Sequence, residues 1–211
     1  MSEFVEILRS EIGVGKPILT SEILRICEGA ARSSVFEKID TGLKDGNLAR
    51  FDRGVYYIPE PSVIPGLDMP LNPESVLRKK YIRDGDDVYG FRSGLSLLND
   101  RGISNQVPAV LEITTNRSPR RVYSVKPFGG YREIMLRKPR VPVCAGNVAE
   151  LEALDALGAV DLKALNSDEY AALLTMIDSC DRRALFDAAQ SYPAKTTANL
   201  LRIESQRAIP A

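Results

Sequence analysis

The sequence predicts an α+β chain, with a helical module first, a small mixed sheet next and a helical tail last. Three observations predict it. Apolar residues recur at helical spacing in three segments before Gly46, and two short strand-like runs follow at once. Five prolines and one glycine then fall within "PEPSVIPGLDMPLNP", Pro59 to Pro73. Beyond them, strand-like runs separated by turn signals give way at Ala149 to a region that reads as helix.

The first helix is expected over Glu3 to Glu11, with Phe4, Ile7 and Leu8 on one side. "PILTSEILRICEGA" predicts a second, capped by Thr20 or Ser21, with Ile23, Leu24 and Cys27 at helical spacing until Gly29 breaks it. "RSSVFEKIDTGLKDG" predicts a third, ending at Gly46, with an apolar stripe of Val35, Phe36, Ile39 and Leu43. Its other faces carry Ser34, Glu37, Lys38, Thr41 and Lys44. Only about four residues separate the second and third helices, the spacing of a helix-turn-helix. A hairpin follows: Leu48 to Phe51, a turn at Asp52-Arg53-Gly54, then Val55 to Ile58. Three helices and a hairpin predict a winged helix-turn-helix over residues 1–60.

The proline-rich stretch reads as an extended linker. After it, "PESVLRKKYI" predicts a helix whose first turn starts at Pro73, "DVYGF" a strand, and "SGLSLLNDRG" a helix ending at Gly102. "PAVLEITTN", "RRVYSVKPF" and "YREIMLRK" predict three strands, with Gly129-Gly130 as a hairpin turn between the last two. The expected domains are thus 1–60, a mixed α/β domain over 74–160 and a helical tail over 161–211. Tail helices are expected over Asp168 to Ile177, Arg182 to Ser191 and Lys195 to Gln206, after one over Glu150 to Ala156.

Composition narrows the function classes. The chain has 211 residues, 44% of them hydrophobic, enough for one good core or two small ones. No apolar run approaches the ~20 residues of a membrane span. "MSEFVEILRS" reads as an amphipathic helix start, not a signal peptide. Cys27, Cys144 and Cys180 form no CxxC pair, and histidine is absent. A reducing cytoplasm, no structural zinc and no histidine-based acid–base chemistry are the expectations. Net charge is zero but unevenly placed. Residues 1–60 hold 8 Lys/Arg against 10 Asp/Glu, residues 61–145 hold 14 against 8, and residues 146–211 hold 6 against 10.

A helix fits the DNA major groove, and its exposed face near the N-terminus meets base edges. Ser33, Ser34, Lys38, Thr41 and Lys44 supply hydrogen-bonding or charged groups on faces the core does not use. Arg32, at the helix start, is placed for a phosphate or a guanine. Thr20 and Ser21, at the start of the second helix, are expected near phosphate through the helix dipole. Arg50 and Arg53 on the hairpin would meet the adjacent minor groove or backbone. Ser34 to Glu37 reads equally as a capping box, and Arg53 equally as a solvated turn residue.

Catalysis is not expected, nor a cofactor or metal. Asp84, Asp86 and Asp87 read as a turn before a strand. Glu112 follows Asp87 as in a metal-dependent nuclease, but the lysine such a site needs two residues on is Thr114. No Ser or Cys has a recognisable base partner.

Three stretches resemble a known family. "LKDGNLARFDRGVYYIP" (Leu43 to Pro59) resembles the end of the winged helix in AbiEi antitoxins, the antitoxin half of type IV, abortive-infection toxin–antitoxin pairs. "SGLSLLNDRGISNQVPAVLEITTN" (Ser93 to Asn116) resembles the stretch where a helix ends, Gln-Val-Pro follows and a strand begins. "SPRRVYSVKPFGGYREIMLRK" continues in the same way. The resemblance covers roughly residues 1–160 and leaves the tail after Asn166 unmatched.

It implies an autorepressor that binds inverted repeats in its own promoter; because specific sites usually need two half-sites, a homo-oligomer on DNA is compatible with it. It also implies an antitoxin countering a nucleotidyltransferase-like toxin or that toxin's target without a stable complex. Carried over, residues 32–44 are the reading helix and residues 50–54 the wing. The acidic balance of residues 1–60 departs from the basic DNA faces of that family. The rival expectations are a winged-helix protein-interaction module, a stand-alone transcription regulator, and last a metal-dependent nuclease.

Overall fold

The computed structural model describes residues 2–61, 68–126 and 132–207. It is a mixed α+β chain with small sheets, divided into two compact units, Met1–Lys80 and Tyr81–Ala211. Among the described residues, no helix is long and apolar enough to cross a membrane.

The first unit runs α1 (Glu3–Glu11), β1 (Ile18–Leu19), α2 (Thr20–Ile26), α3 (Arg32–Lys44), β2 (Ala49–Asp52) and β3 (Val55–Tyr57). β4 (Glu60–Pro61), β5 (Asp68–Met69) and α4 (Pro73–Leu77) follow. β3 lies between β1 and β2, antiparallel to both, with Ile18 opposite Tyr56 and Ala49 opposite Tyr57. The helices close over this sheet through Phe4, Val5, Leu8, Ile23, Val35 and Ile39, joined by Leu48 from the turn before β2. Each such side chain contributes on the order of 1.5–3 kcal/mol by leaving water.

Three expectations change here. The buried stripe of α1 is Phe4, Val5 and Leu8, while Ile7 is 43% exposed. Neither Thr20 nor Ser21 caps α2; the cap position is Leu19, and its N–H donates to the Glu22 carboxylate at 2.8 Å. Ser34 does not cap α3, which starts two residues earlier with Ala31 at the cap position.

The stretch read as a linker is part of this unit where it is described. β4 pairs antiparallel with β5, and Leu71 is buried. α4 starts at Pro73 as expected, with the Asn72 side chain accepting from Glu74 N–H at 2.9 Å. A π-turn, Arg78–Ile82, continues from it.

The second unit opens with two short pairing strands, β6 (Arg83–Asp84) and β7 (Asp87–Val88). Then come β8 (Gly90–Arg92), α5 (Gly94–Asp100), β9 (Leu111–Thr115), β10 (Val122–Val125) and β11 (Ile134–Arg137). The strand expected at "DVYGF" is therefore two, β7 and β8. The four-stranded sheet has the order β10-β11-β9-β8, with β11 parallel to β9 and the other pairs antiparallel. The Gly129-Gly130 turn lies outside the described residues.

α6 (Val148–Ala159), α7 (Ser167–Asp178), α8 (Arg182–Ala189) and α9 (Ala194–Arg207) complete the unit. α6 is apolar around most of its circumference, so it takes a central place and packs against α5, α7, α8 and α9. One core joins Leu97, Leu154, Leu157, Leu173, Leu185, Leu200 and Ile203. The helices after residue 161, expected as a separate tail, thus share their core with α5 and α6. None of them is apolar enough on its own to form a module, and α6 supplies the surface they cover.

Candidate nucleic-acid interface

α3 carries the first half of the candidate interface. Val35, Ile39 and Gly42 are buried, which turns Ser33, Glu37, Lys38, Asp40, Thr41 and Lys44 outward. Gly42 is required by contact: a Cβ there would meet Leu48 Cδ1 at 2.9 Å. The first turn holds no acidic residue, and Ala31 offers no side-chain acceptor. The first N–H groups of α3, at the positive end of the helix dipole, therefore lack a capping side chain and suit an anion. Arg32 stands beside them, exposed, with its guanidinium 5.9 Å from the Phe36 ring centroid.

The β2–β3 hairpin is the second half. Arg50 is exposed and lies 5.5 Å from the Tyr56 ring centroid, so its stem rests on an aromatic surface while its charge faces water. Arg53 is exposed in the turn. The register shifts between Arg50 and Asp52, a bulge that bends the ribbon beside the turn. Gly54 has φ +74°, a left-handed conformation that glycine adopts without strain. Its carbonyl accepts both the Thr20 N–H at 3.0 Å and the Thr20 hydroxyl at 3.2 Å. The hairpin turn is thus pinned to the start of α2.

Two ion pairs further shape this unit. Glu22 meets Lys79 at 2.7 Å with both side chains largely buried, and Asp52 meets Lys80 at 4.0 Å. The Asp52 carboxylate beside Arg53 is therefore partly offset by Lys80. Lys79 and Lys80, counted by sequence with the basic middle, belong to this unit.

Ser21, Arg32, Ser33, Lys38, Thr41, Lys44, Arg50 and Arg53 are all exposed. Ser34 is half-buried, and Thr20 is half-buried and bonded to the turn. Thr20 is therefore a residue that sets the hairpin's position. Glu37 was not among the expected site residues, yet it sits one helical turn from Ser33, Ser34 and Thr41 on the outward face. The Thr41 hydroxyl donates to the Glu37 carbonyl at 2.9 Å. Periodicity places Glu37 on that face; only the prior that DNA surfaces are basic hid it.

The carboxylates of the nuclease expectation have other surroundings. Asp84 stands opposite Asp87 across the β6–β7 turn, and the Arg83 guanidinium donates to Gly85 O at 2.9 Å. Glu112 is held by Arg137, with Nε at 2.9 Å and Nη2 at 2.7 Å. No protein-family model matches the chain, and no curated protein matches it.

Proposed function

We propose that the first unit is a winged helix-turn-helix and that the chain is a DNA-binding transcriptional repressor. The order α1, β1, α2, α3, β2, β3 with β3 central supports this reading, because it joins a helix-turn-helix to a flanking ribbon. The single observation that carries it is the pinned hairpin: Thr20 fixes the turn of an arginine-bearing ribbon to the helix pair that presents α3. A cation held at a set distance from a reading helix is what a wing contributes to a duplex. α3 would enter the major groove, with Ser33, Lys38 and Thr41 toward base edges and Arg50 and Arg53 on the backbone or minor groove.

The antitoxin role, with a nucleotidyltransferase-like toxin or its target as partner, rests on the resemblance alone, carried by residues 43–59 and 93–138. Binding as a dimer on inverted repeats follows from the few base pairs one reading helix covers.

One observation favours a second reading, a protein partner for the same surface. The unit holds 11 Lys/Arg against 12 Asp/Glu, and Glu37 sits amid the outward face of α3. Salt separates the two. A duplex binder loses affinity steeply as salt rises, because each neutralised phosphate releases a counterion. Binding of the chain to its own promoter, measured by gel shift over a salt series, tests the proposal. Loss of specific binding with Arg53→Ala and with Lys38→Ala, folding intact, is the expected result; unchanged affinity in both removes these residues from the interface.

A further inference from the structure

The second unit contains a cavity of about 480 Å³. Small-molecule sites span roughly 300–1,000 Å³. β9, β10, β11, residues 138–140, α6 and the region from Tyr192 into α9 line it. Four cationic residues face it, Arg121, Arg137, Lys138 and Arg140, against two carboxylates, Glu112 and Asp155.

Both carboxylates are already engaged. Glu112 accepts both Arg137 bonds on one oxygen. Asp155 accepts the Gly94 N–H at 2.7 Å, so a residue of α6 caps the start of α5. Burial first, and Glu112 next, favour the protonated form of Asp155, against the Gly94 bond, Arg137 and Arg140. Gly94 has φ +56°, and a Cβ there would meet Glu112 Oε1 at 2.6 Å, so this corner admits no side chain.

Of the remaining cations, Arg140 bears on Asp155, whose carboxylate form it favours. Arg121 and Lys138 are exposed, and among the described residues their head groups meet no carboxylate. Arg140 is exposed with its guanidinium 5.8 Å from the Tyr192 ring centroid. Tyr192 and Pro193 form the accessible apolar part of the lining, with Leu154 buried beneath and Thr114 as a polar lining residue. Thr196 also lines the cavity, but its hydroxyl is enclosed against Gly158 and is not presented to a ligand.

We infer that this cavity binds a nucleoside phosphate. Arg121 and Lys138, which meet no carboxylate among the described residues, with Arg140 beside them, match a multiply charged phosphate, which Arg and Lys recognise by charge-assisted hydrogen bonds. The Tyr192 and Pro193 surface accepts a planar, largely apolar body. The site lies wholly within the second unit and does not depend on the DNA-binding reading of the first.

The test is calorimetric titration of the full chain with AMP, GMP, CMP and UMP, with inorganic phosphate and adenosine as controls. At least one nucleotide is expected to bind about tenfold or more tightly than either control. The double variant Arg121→Ala, Lys138→Ala is expected to lose about tenfold in nucleotide affinity, with the melting temperature of the ligand-free chain unchanged because both side chains are exposed. Nucleotides that bind no better than inorganic phosphate overturn the inference. Nucleotide affinity unmoved in the double variant overturns it too, since the ligand then sits elsewhere. Operator affinity measured in parallel on the same variants keeps this outcome separate from the fate of the DNA-binding proposal.

Discussion

The two units handle charge in opposite ways. On α3 and the hairpin of the first, Arg32, Arg50 and Arg53 reach water, two of them resting on aromatic rings. In the second, Glu112, Asp155 and Glu150 are drawn in and held by Arg137, the Gly94 N–H and the Asp181 N–H. An exposed cation contributes little to folding and stays available to a partner. An enclosed carboxylate must be matched, so it locks elements together and becomes costly to disturb. The first unit is therefore expected to tolerate substitution at its polar surface and lose binding. Substitution of the enclosed carboxylates of the second is expected to cost stability, while that of its exposed Arg121 and Lys138 is not.

The largest expected effect is at Gly90 in β8. A Cβ there would collide with the Tyr81 carbonyl and lie 2.8 Å from the Thr114 carbonyl, and backbone atoms cannot swing aside. Gly90→Ala is expected to destabilise the chain by about 3 kcal/mol, the upper part of the overpacking range, read by urea denaturation. A loss within the noise of that measurement would contradict the packing described for β8 and β9.

Asp155 comes next. Asp155→Ala leaves the Gly94 N–H without its acceptor and is expected to cost about 1–3 kcal/mol. Asp155→Asn retains an acceptor and removes a charge that burial disfavours. The pKa of Asp155 is raised above the usual 3.8, so the folded state keeps its proton where the unfolded chain has lost it. Its contribution to stability is present at low pH and lost as pH rises from the ordinary aspartate range through the raised value. Glu112, Arg137, Arg140 and Tyr192 face the same carboxyl or its cavity. Denaturation at about pH 4 and about pH 7 should show wild type losing ground to Asp155→Asn at the higher pH. The reverse trend would mean that Asp155 is stabilised as a carboxylate.

In the first unit the effects fall on binding. Arg53→Ala is expected to lower operator affinity by about tenfold, to shift stability by less than about 0.5 kcal/mol, and to reduce the salt slope by about 1. The smallest effect belongs to Glu37→Gln. Removing a carboxylate from the outward face should raise affinity for nonspecific duplex by a few-fold, measured by fluorescence anisotropy with a scrambled sequence. A fall in nonspecific affinity would mean that Glu37 does not face the phosphates.

Elements built from local periodicity were legible in the sequence. α1 runs Glu3–Glu11 as read, and α7 and α9 lie within one or two residues of their expected bounds. The exposed residues of α3 and the hairpin were readable for the same reason, since one face follows from the other. What could not be read is what non-local pairing creates. β1 has two residues, too few for any period, and is a strand only because β3 lies beside it. The parallel pairing of β9 and β11, with β10 set at the edge, is invisible in three successive strand-like runs.

Contacts at the two candidate sites follow the same rule. The Thr20 tie to Gly54 spans 34 residues, and the Glu112–Arg137 pair spans 25. Charge counted by thirds of the chain also misled. By unit, Lys/Arg and Asp/Glu stand at 11 against 12 and 17 against 16, because Arg78, Lys79 and Lys80 belong with the first unit and the acidic helices with the basic sheet.

The most direct measurement is anisotropy of the full chain on its own promoter duplex and on a scrambled duplex, over a salt series from about 50 to about 200 mM. Preference for the promoter sequence, a steep fall in affinity with salt, and a shallower fall in Arg53→Ala are the expected results. Equal affinity for both duplexes, with no dependence on salt, would contradict a wing-and-helix interface on the first unit.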